Sequence, residues 1–256
     1  MVLLRPASVV IANVARLMKR CKDDYRMKVI GLLGGLSWES SAEYYKVINE
    51  LVRARLGGLH SAECVMHSFD FAEIEALQST GQWDEATQRM IDAAQRVERG
   101  GADFVLICSN TMHKMANEVQ QSINIPLLHI ADATAERITA CNLNRIGLLG
   151  TRFTMDEAFY KGRLTENYGL DVLVPNEQER HIVDRIIYDE LCLGIIKPES
   201  KQRYIEIMKN LVANGAEGII LGCTEITLLV NQQDSNVPLF DTTGIHAEAA
   251  VEYALR

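Results

Sequence analysis

The sequence contains one internal repeat, in which two short motifs recur in the same order. The four motif copies are GLLGG at 31–35, ICSNT at 107–111, GLLGT at 147–151 and LGCTE at 221–225. Gly31 lies 78 positions before Ser109, and Gly147 lies 76 positions before Cys223. Such self-similarity predicts two similar lobes, with Ser109 and Cys223 at equivalent positions.

Four short and almost wholly apolar runs mark the predicted central strands of the fold. They are KVIGLLG at 28–34, FVLIC at 104–108, RIGLLG at 145–150 and GIILGC at 218–223. Runs of this kind are typical of strands buried on both faces of a parallel sheet. Residues 85–100 and 199–215 have helical periodicity. The alternation predicts an α/β fold of two Rossmann-like lobes with parallel sheets, related by pseudo-twofold symmetry, and an active site in the cleft between them.

The repeat also predicts the division of the chain. Residues 27–131 and 242–256 are assigned to the first lobe and 132–241 to the second, with crossings braced near Asp132 and Asp241. Residues 1–26 form an N-terminal extension with five basic residues before its first acidic residue, Asp23. Either a targeting or membrane-surface helix or a leader outside the domain fits this extension.

Composition excludes several classes of function. The chain has 256 residues, 48% of them hydrophobic, and a formal net charge of −8 with a pI near 5.3, which argues against nucleic acid or an anionic membrane as a partner. Its six cysteines contain no C-x-x-C pair and no zinc-type spacing, so we expect reduced thiols, a cytoplasmic location and no metal site. No stretch is apolar for long enough to span a bilayer.

Ser109 and Cys223 are the predicted centre of the site. Each follows a predicted buried strand, and ligand sites of parallel sheets form beyond the carboxyl ends of strands. The residues after them, which can begin helices and offer N–H groups to a carboxylate, are Asn110, Thr111, Thr224 and Glu225. A thiol and a hydroxyl on opposite sides of one carbon suit the inversion of an α-carbon without a cofactor.

The motifs ICSNTMH, LGCTEI, GLLGGLSWES and RLGGLHSA together resemble the cofactor-independent aspartate/glutamate racemase family, from Met27 nearly to the end of the chain. Members of that family carry C-N-T in the first lobe and G-C-T in the second, and the two cysteines act as acid and base. Here Cys223 is retained and Ser109 stands in the first position. This pattern is similar to the subgroup of L-aspartate/glutamate-specific racemases that has a hydroxyl residue there.

The resemblance implies a racemase of aspartate and/or glutamate that needs no cofactor, binds a small-molecule amino acid and forms a homodimer. It assigns substrate binding to Leu36, Ser37, Gln78, Asn110, Thr111, Thr224 and Glu225. Arg55 and His60 are weaker candidates for contact with a distal carboxylate. Many relatives have Lys in an I-Y-x-E-x-K-x-G segment, where this chain has Cys192.

The exchange of a thiol for a hydroxyl predicts an asymmetric reaction. A thiol has a pKa of about 8.5, which is lower at a helix N-terminus, whereas a serine hydroxyl is a far weaker acid. We therefore expect the Cys223 thiolate to remove the α-hydrogen of the L-enantiomer and Ser109 to supply hydrogen on the other face, with slow reaction from the D side. Cys108 alternates with Ser109 along the strand and is predicted to lie in the core.

Other interpretations stay open at the level of sequence. Ser109, Asn110, Thr111 and Thr224 have the residue types of simple helix caps, and His113 can either orient the motif or serve as a structural histidine. A single-cysteine decarboxylase of malonate-type acids and a non-catalytic amino-acid-binding protein are alternative functions. The glycines match neither G-x-G-x-x-G nor a Walker loop, which disfavours nucleotide binding.

Overall fold

The computed structural model of the chain describes residues 26–256. The interpretations placed on residues 1–25 lie outside this range. Among the described residues, no helix combines the length and the apolar character needed to cross a bilayer.

The first sheet contains four parallel strands, in the order β2-β1-β3-β4. The strands are β1 (Ile30–Gly34), β2 (Cys64–Ser68), β3 (Phe104–Ile107) and β4 (Leu127–Leu128). The two central strands, β1 and β3, are fully buried and were predicted from their apolar sequences. The edge strands are short or partly exposed and carry no such signal.

The second sheet repeats this arrangement, in the order β6-β5-β7-β8 and again wholly parallel. Its strands are β5 (Arg145–Gly150), β6 (Asp171–Leu173), β7 (Gly218–Gly222) and β8 (Leu239–Asp241). Equivalent strands therefore occupy equivalent places in the two sheets. The prediction of an α/β fold with two similar parallel lobes is confirmed.

Eleven α-helices connect and cover the strands within residues 26–256. They are α1 (Trp38–Leu56), α2 (Phe71–Ser79), α3 (Trp83–Arg99), α4 (Ala116–Ser122), α5 (Ile130–Ala140), α6 (Arg152–Asp156), α7 (Ala158–Tyr168), α8 (Glu177–Asp189), α9 (Pro198–Ala213), α10 (Ile226–Leu229) and α11 (Thr242–Ala254). Short 3₁₀ turns span Thr111–Met115, Leu191–Leu193 and Gln232–Asp234. The predicted helices correspond to α3 and α9, and Gly215 beyond α9 adopts a φ of 98°, which favours glycine.

Helices pack on both faces of the first sheet. On one face, α3 buries a stripe that includes Ala86, Met90 and Val97, whose spacing matches one side of a helix. On the other face, α1 and α11 share a core with β1 and β3. Cys108 is fully buried in this second core, as predicted from strand alternation.

Ion pairing and capping fix the two segments that follow β4 and β8. The Arg163 guanidinium donates two hydrogen bonds of 2.6 Å to the Asp132 carboxylate in α5. Asp241 caps α11 by accepting a 3.0 Å hydrogen bond from the Thr243 N–H. Helix α11 contributes Val251 to the core of the first sheet and Ile245 to the core of the second. This helix thus packs against both halves of the molecule.

Candidate active site

Ser109 and Cys223, at the carboxyl ends of β3 and β7, line the same cavity between the two lobes. The lining residues are Leu36, Phe71, Gln78, Ser109, Asn110, Thr111, Thr151, Ile187, Tyr188, Cys192, Gly222, Cys223, Thr224 and Glu225. Eight of the nine residues predicted for the site are among them. The ninth, Ser37, is buried and contacts the cavity through Glu225.

The cavity is small in this arrangement of the lobes. Its volume is about 30 Å³. One water molecule requires roughly 10–15 Å³ by such a measure, so the space holds about two waters. An amino acid can enter only after the lobes separate or a lining side chain moves.

The Glu225 carboxylate accepts three side-chain hydrogen bonds at the cavity. It accepts hydrogen bonds from the Cys223 thiol at 2.8 Å and from the Thr224 hydroxyl at 2.6 Å, both on Oε2. Its other oxygen, Oε1, accepts a hydrogen bond from the Ser37 hydroxyl of the first lobe. Because Glu225 belongs to the second lobe, this carboxylate joins the two lobes across the cleft.

Burial is the largest cause that raises the pKa of the Cys223 thiol, and the Glu225 carboxylate raises it further. The prediction of a pKa lowered by a helix N-terminus is therefore wrong for this arrangement. Helix α10 is only four residues long, and the Glu225 N–H at its start lowers the pKa of Cys223 by less than burial and the carboxylate raise it. Cys223 thus holds its proton and acts as a hydrogen-bond donor.

Ser109 lies at the end of β3, where a 3₁₀ turn rather than an α-helix begins. Its hydroxyl accepts a long hydrogen bond of 3.4 Å from the Met112 N–H, so the capping interpretation holds in part. His113 Nδ1 lies 2.7 Å from the Ser109 carbonyl oxygen, and Nε2 accepts a 3.2 Å hydrogen bond from the Ile130 N–H. These bonds require a proton on Nδ1, which donates to Ser109, so His113 orients the main chain at this residue.

Asn110 presents an unpaired acceptor. Its Nδ2 donates to the Thr242 hydroxyl at 3.0 Å, and that hydroxyl donates to the Leu221 carbonyl at 2.9 Å. These bonds fix the amide, and its Oδ1 is buried without a hydrogen-bond partner among the described residues. A buried acceptor of this kind is unfavourable unless a ligand satisfies it.

Contacts between the lobes continue beside Asn110. The Thr111 and Thr151 hydroxyls are hydrogen-bonded at 2.9 Å. Thr151 directly follows β5 as Gly35 directly follows β1, and each comes immediately after a copy of the repeated GLLG motif. The repeat was the signal that could have identified Thr151, which sequence reasoning missed.

Helix α8 and the turn after it supply lining residues that sequence reasoning also missed. The Tyr188 hydroxyl donates to the Gln78 amide oxygen at 3.4 Å, and the Gln78 amide contacts the Met112 sulfur at 2.9 Å. Cys192, in the turn after α8, also lines the cavity. The segment IIYDELCLG at 186–194 pointed to this region, but only because it has Cys192 where many relatives have Lys. Ile187 belongs to the same segment and Gly222 to the LGCTE motif, whereas Phe71 carried no recognisable signal.

Arg55 and His60 lie away from the cavity, so their suggested contact with a substrate carboxylate is wrong. The Arg55 guanidinium pairs with Glu252 at 3.3 Å and with Glu248 at 3.8 Å, on α11. His60 is exposed in the loop after α1. The cavity lies near the start of α1, and a helix of 19 residues is about 28 Å long, which separates its two ends too widely.

Comparison with known proteins identifies the family. The sequence profile described as Asp/Glu/hydantoin racemase matches residues 33–250. The chain is 27% identical to the broad specificity amino-acid racemase RacX of Bacillus subtilis over 171 residues, which cover 66% of this chain and 72% of that protein.

Solved structures show the same architecture. A Yersinia pestis protein described as a candidate Asp/Glu racemase is 54% identical, with a TM-score of 0.85, over 90% of this chain and 100% of that one. An aspartate racemase homologue from Pyrococcus horikoshii is 37% identical, with a TM-score of 0.78, over the same shares of the two chains. The chain belongs to the Asp/Glu/hydantoin racemase family, whose enzymes are isomerases that work without pyridoxal phosphate.

Proposed function

We propose that this protein racemises α-amino acids without a cofactor, with Cys223 and Ser109 acting on opposite faces of the α-carbon. The observation that carries the proposal is the position of these two residues. Each follows the equivalent central strand of its own lobe, and both line one cavity. Aspartate and glutamate, which the resemblance implies, are the reference substrates for the first assays.

The cavity offers partners for both polar groups at an α-carbon. The Ser37 and Thr224 hydroxyls, which now donate to Glu225, can donate to the α-carboxylate of a substrate instead. The unpaired Asn110 Oδ1 can accept from the α-ammonium group. The proposal requires that this orientation hold the α-carbon between the Cys223 sulfur and the Ser109 hydroxyl, as inversion demands.

A proton route for Cys223 follows from the same contacts. Transfer of the thiol proton to Glu225 Oε2, 2.8 Å away, leaves a thiolate and a neutral carboxyl group. The thiolate removes the α-hydrogen, and its bonding electron pair stays on the α-carbon. The Ser109 hydroxyl then delivers a proton to the opposite face and becomes an alkoxide. This alkoxide takes a proton from solvent, and the neutral Glu225 carboxyl group releases one, which restores the resting state. Positioned proton transfer of this kind contributes roughly 10²–10⁴-fold to a rate.

Chirality-resolved assays in heavy water without pyridoxal phosphate test the proposal. L-Aspartate and L-glutamate are expected to exchange the α-hydrogen and to racemise, and the D-enantiomers to exchange more slowly. Equal exchange from both enantiomers would contradict the asymmetry of thiol and hydroxyl. A requirement for added pyridoxal phosphate would reject the mechanism itself.

Two variants distinguish this function from the alternatives. Cys223→Ser should abolish turnover and leave ligand binding largely intact, whereas Cys141→Ser, at an exposed thiol, should retain full activity. Carbon dioxide release from substituted malonates, without racemisation, would instead favour a single-cysteine decarboxylase. Binding without any exchange would favour a non-catalytic amino-acid-binding protein.

The homodimer that the resemblance implies is tested by sedimentation of the same preparation.

A further inference from the structure

The lining of the cavity carries a negative charge that no cation offsets. Within residues 26–256, no lysine, arginine or histidine side chain lines it, and Glu225 is its one carboxylate. The other polar groups are hydroxyls, amides and thiols, which are neutral when protonated. The side-chain carboxylate of a bound aspartate or glutamate would therefore find no ionic partner there.

The basic residues nearest in sequence to the lining are already occupied. Every lysine or arginine within five positions of a lining residue forms an ion pair: Lys114 with Glu157 at 2.5 Å, Arg152 with Asp156 at 3.0 Å, Arg185 with Asp189 at 3.1 Å, and Lys197 with Glu190 at 3.2 Å. To reach a substrate, each of these cations would have to leave its carboxylate.

The charged groups that shift the pKa of Cys192 are both negative. Its pKa is raised first by burial and then by the carboxylates of Glu225 and Glu39. Burial likewise raises the pKa of Tyr188, and the Asp184 and Glu75 carboxylates are among the groups that raise it further. This side of the cavity therefore has a negative potential, which disfavours the burial of a second carboxylate.

We propose that the cavity selects amino acids with an uncharged side chain over aspartate and glutamate, and that Cys192 is the residue that determines this preference. The inference rests on the racemase function proposed above. Cys192 and Tyr188 line the cavity together with Cys223, and Phe71 and Ile187 add apolar surface to its lining. A neutral side chain can pack there and use the hydroxyl of Tyr188 without an unpaired charge.

Isosteric substrates isolate the effect of charge. L-Asparagine matches L-aspartate in shape, and L-glutamine matches L-glutamate, so the ratio of kcat/KM within each pair reports the carboxylate alone. We expect the amide of each pair to be favoured by about tenfold or more, because a buried carboxylate without a partner is rejected strongly. Faster reaction of the two acids would overturn this inference and leave the racemase function standing.

Variants at Cys192 test the assigned residue. Cys192→Lys places a cation in the negative region and should shift the ratio towards aspartate by about tenfold or more. Cys192→Met has similar length and no charge, and should keep the wild-type ratio. An unchanged ratio in a folded Cys192→Lys protein would remove the role of Cys192. Absence of α-hydrogen exchange with all four substrates would overturn the racemase function, and the inference with it.

Discussion

The Cys223 sulfur donates a hydrogen bond to the Glu225 carboxylate over 2.8 Å, although the two residues are separated by only Thr224. The main chain bends here at the end of β7, so that side chains two positions apart meet. A thiol in contact with an anion keeps its proton until that anion accepts it or moves away. In the resting protein, Cys223, the proposed base, is therefore a protonated thiol.

Glu225→Gln should lower the pKa of Cys223, because it removes the carboxylate that adds to the effect of burial. Burial remains the larger cause, so the thiol should still ionise above its ordinary range. The rate of alkylation by iodoacetamide as a function of pH measures this change. Glu190→Gln, at a carboxylate bound to Ser200 outside the cavity lining, is the matched control and should leave the profile in place.

Gly222→Ala should destabilise the protein, because a Cβ at this position would lie 2.8 Å from the Leu149 carbonyl oxygen on the neighbouring strand. Backbone of a central strand yields little, so we expect a loss of about 1–3 kcal/mol in the free energy of unfolding. Urea denaturation followed by circular dichroism measures it.

Gly162→Ala is the control of opposite sign. Gly162 lies inside α7, where an added Cβ would make only ordinary contacts, at 3.6 Å or more. Alanine favours a helix interior over glycine by roughly 0.5–1 kcal/mol, so this variant should be more stable than the wild type. Equal changes in the free energy of unfolding for Gly222→Ala and Gly162→Ala would show that the close contact with Leu149 does not determine the effect at Gly222.

The sequence predicted those parts of the fold that repeat or that bury continuous apolar runs. β1 and β7 are buried along their whole length, whereas β2 is partly exposed and β4 has two residues, too few to form a pattern. The repeat likewise located Ser109 and Cys223 in one cavity.

Contacts made by folding over long distances carried no sequence signal. The hydrogen bond between Ser37 and Glu225 joins residues 188 positions apart. Tyr188 enters the cavity from α8, and no local pattern distinguishes it from a core tyrosine such as Tyr204. The wrong prediction for Arg55 has the same origin. Arg55 lies near the last residue of α1, whereas the cavity lies near the first, and the sequence alone did not show this separation.

Phe153→Leu should weaken closure of the cleft. The Phe153 ring of the second lobe packs edge to face on the Trp83 ring of the first lobe, with centroids 5.0 Å apart, and the Lys114 ammonium lies 4.1 Å from the Trp83 centroid. Such a pair contributes about 1 kcal/mol, so we expect KM to rise about fivefold with little change in kcat.

Phe159→Leu is the matched control for closure. Phe159 packs on Tyr160 within the second lobe, with centroids 6.4 Å apart, whereas Phe153 is the ring that packs on Trp83. It should lower stability without raising KM. A rise of KM in both variants would mean that loss of an aromatic ring, rather than loss of closure, explains the effect.

Three neighbouring histidines should make the protein less stable in acid. Burial lowers the pKa of His246 to about 4, and burial followed by Arg163 lowers that of His129 to about 3. Burial also lowers the pKa of His113, whose ring lies 4.5 Å from that of His129. Because the folded-state values lie below the ordinary value of 6.5, the unfolded chain binds protons first as the pH falls.

The stability that these neutral rings provide is therefore present above about pH 6.5 and decreases as the pH falls towards the folded-state values. Between about pH 7 and pH 5 the loss should be about 2 kcal/mol for His129 and for His246, each taken alone. Urea denaturation at the two pH values measures this loss. His246→Gln retains an amide donor for the Leu128 carbonyl and should show a shallower dependence, whereas His60→Gln, at an exposed position, should follow the wild type. A dependence on pH that is identical in all three proteins would show that ionisation of His246 does not govern acid stability.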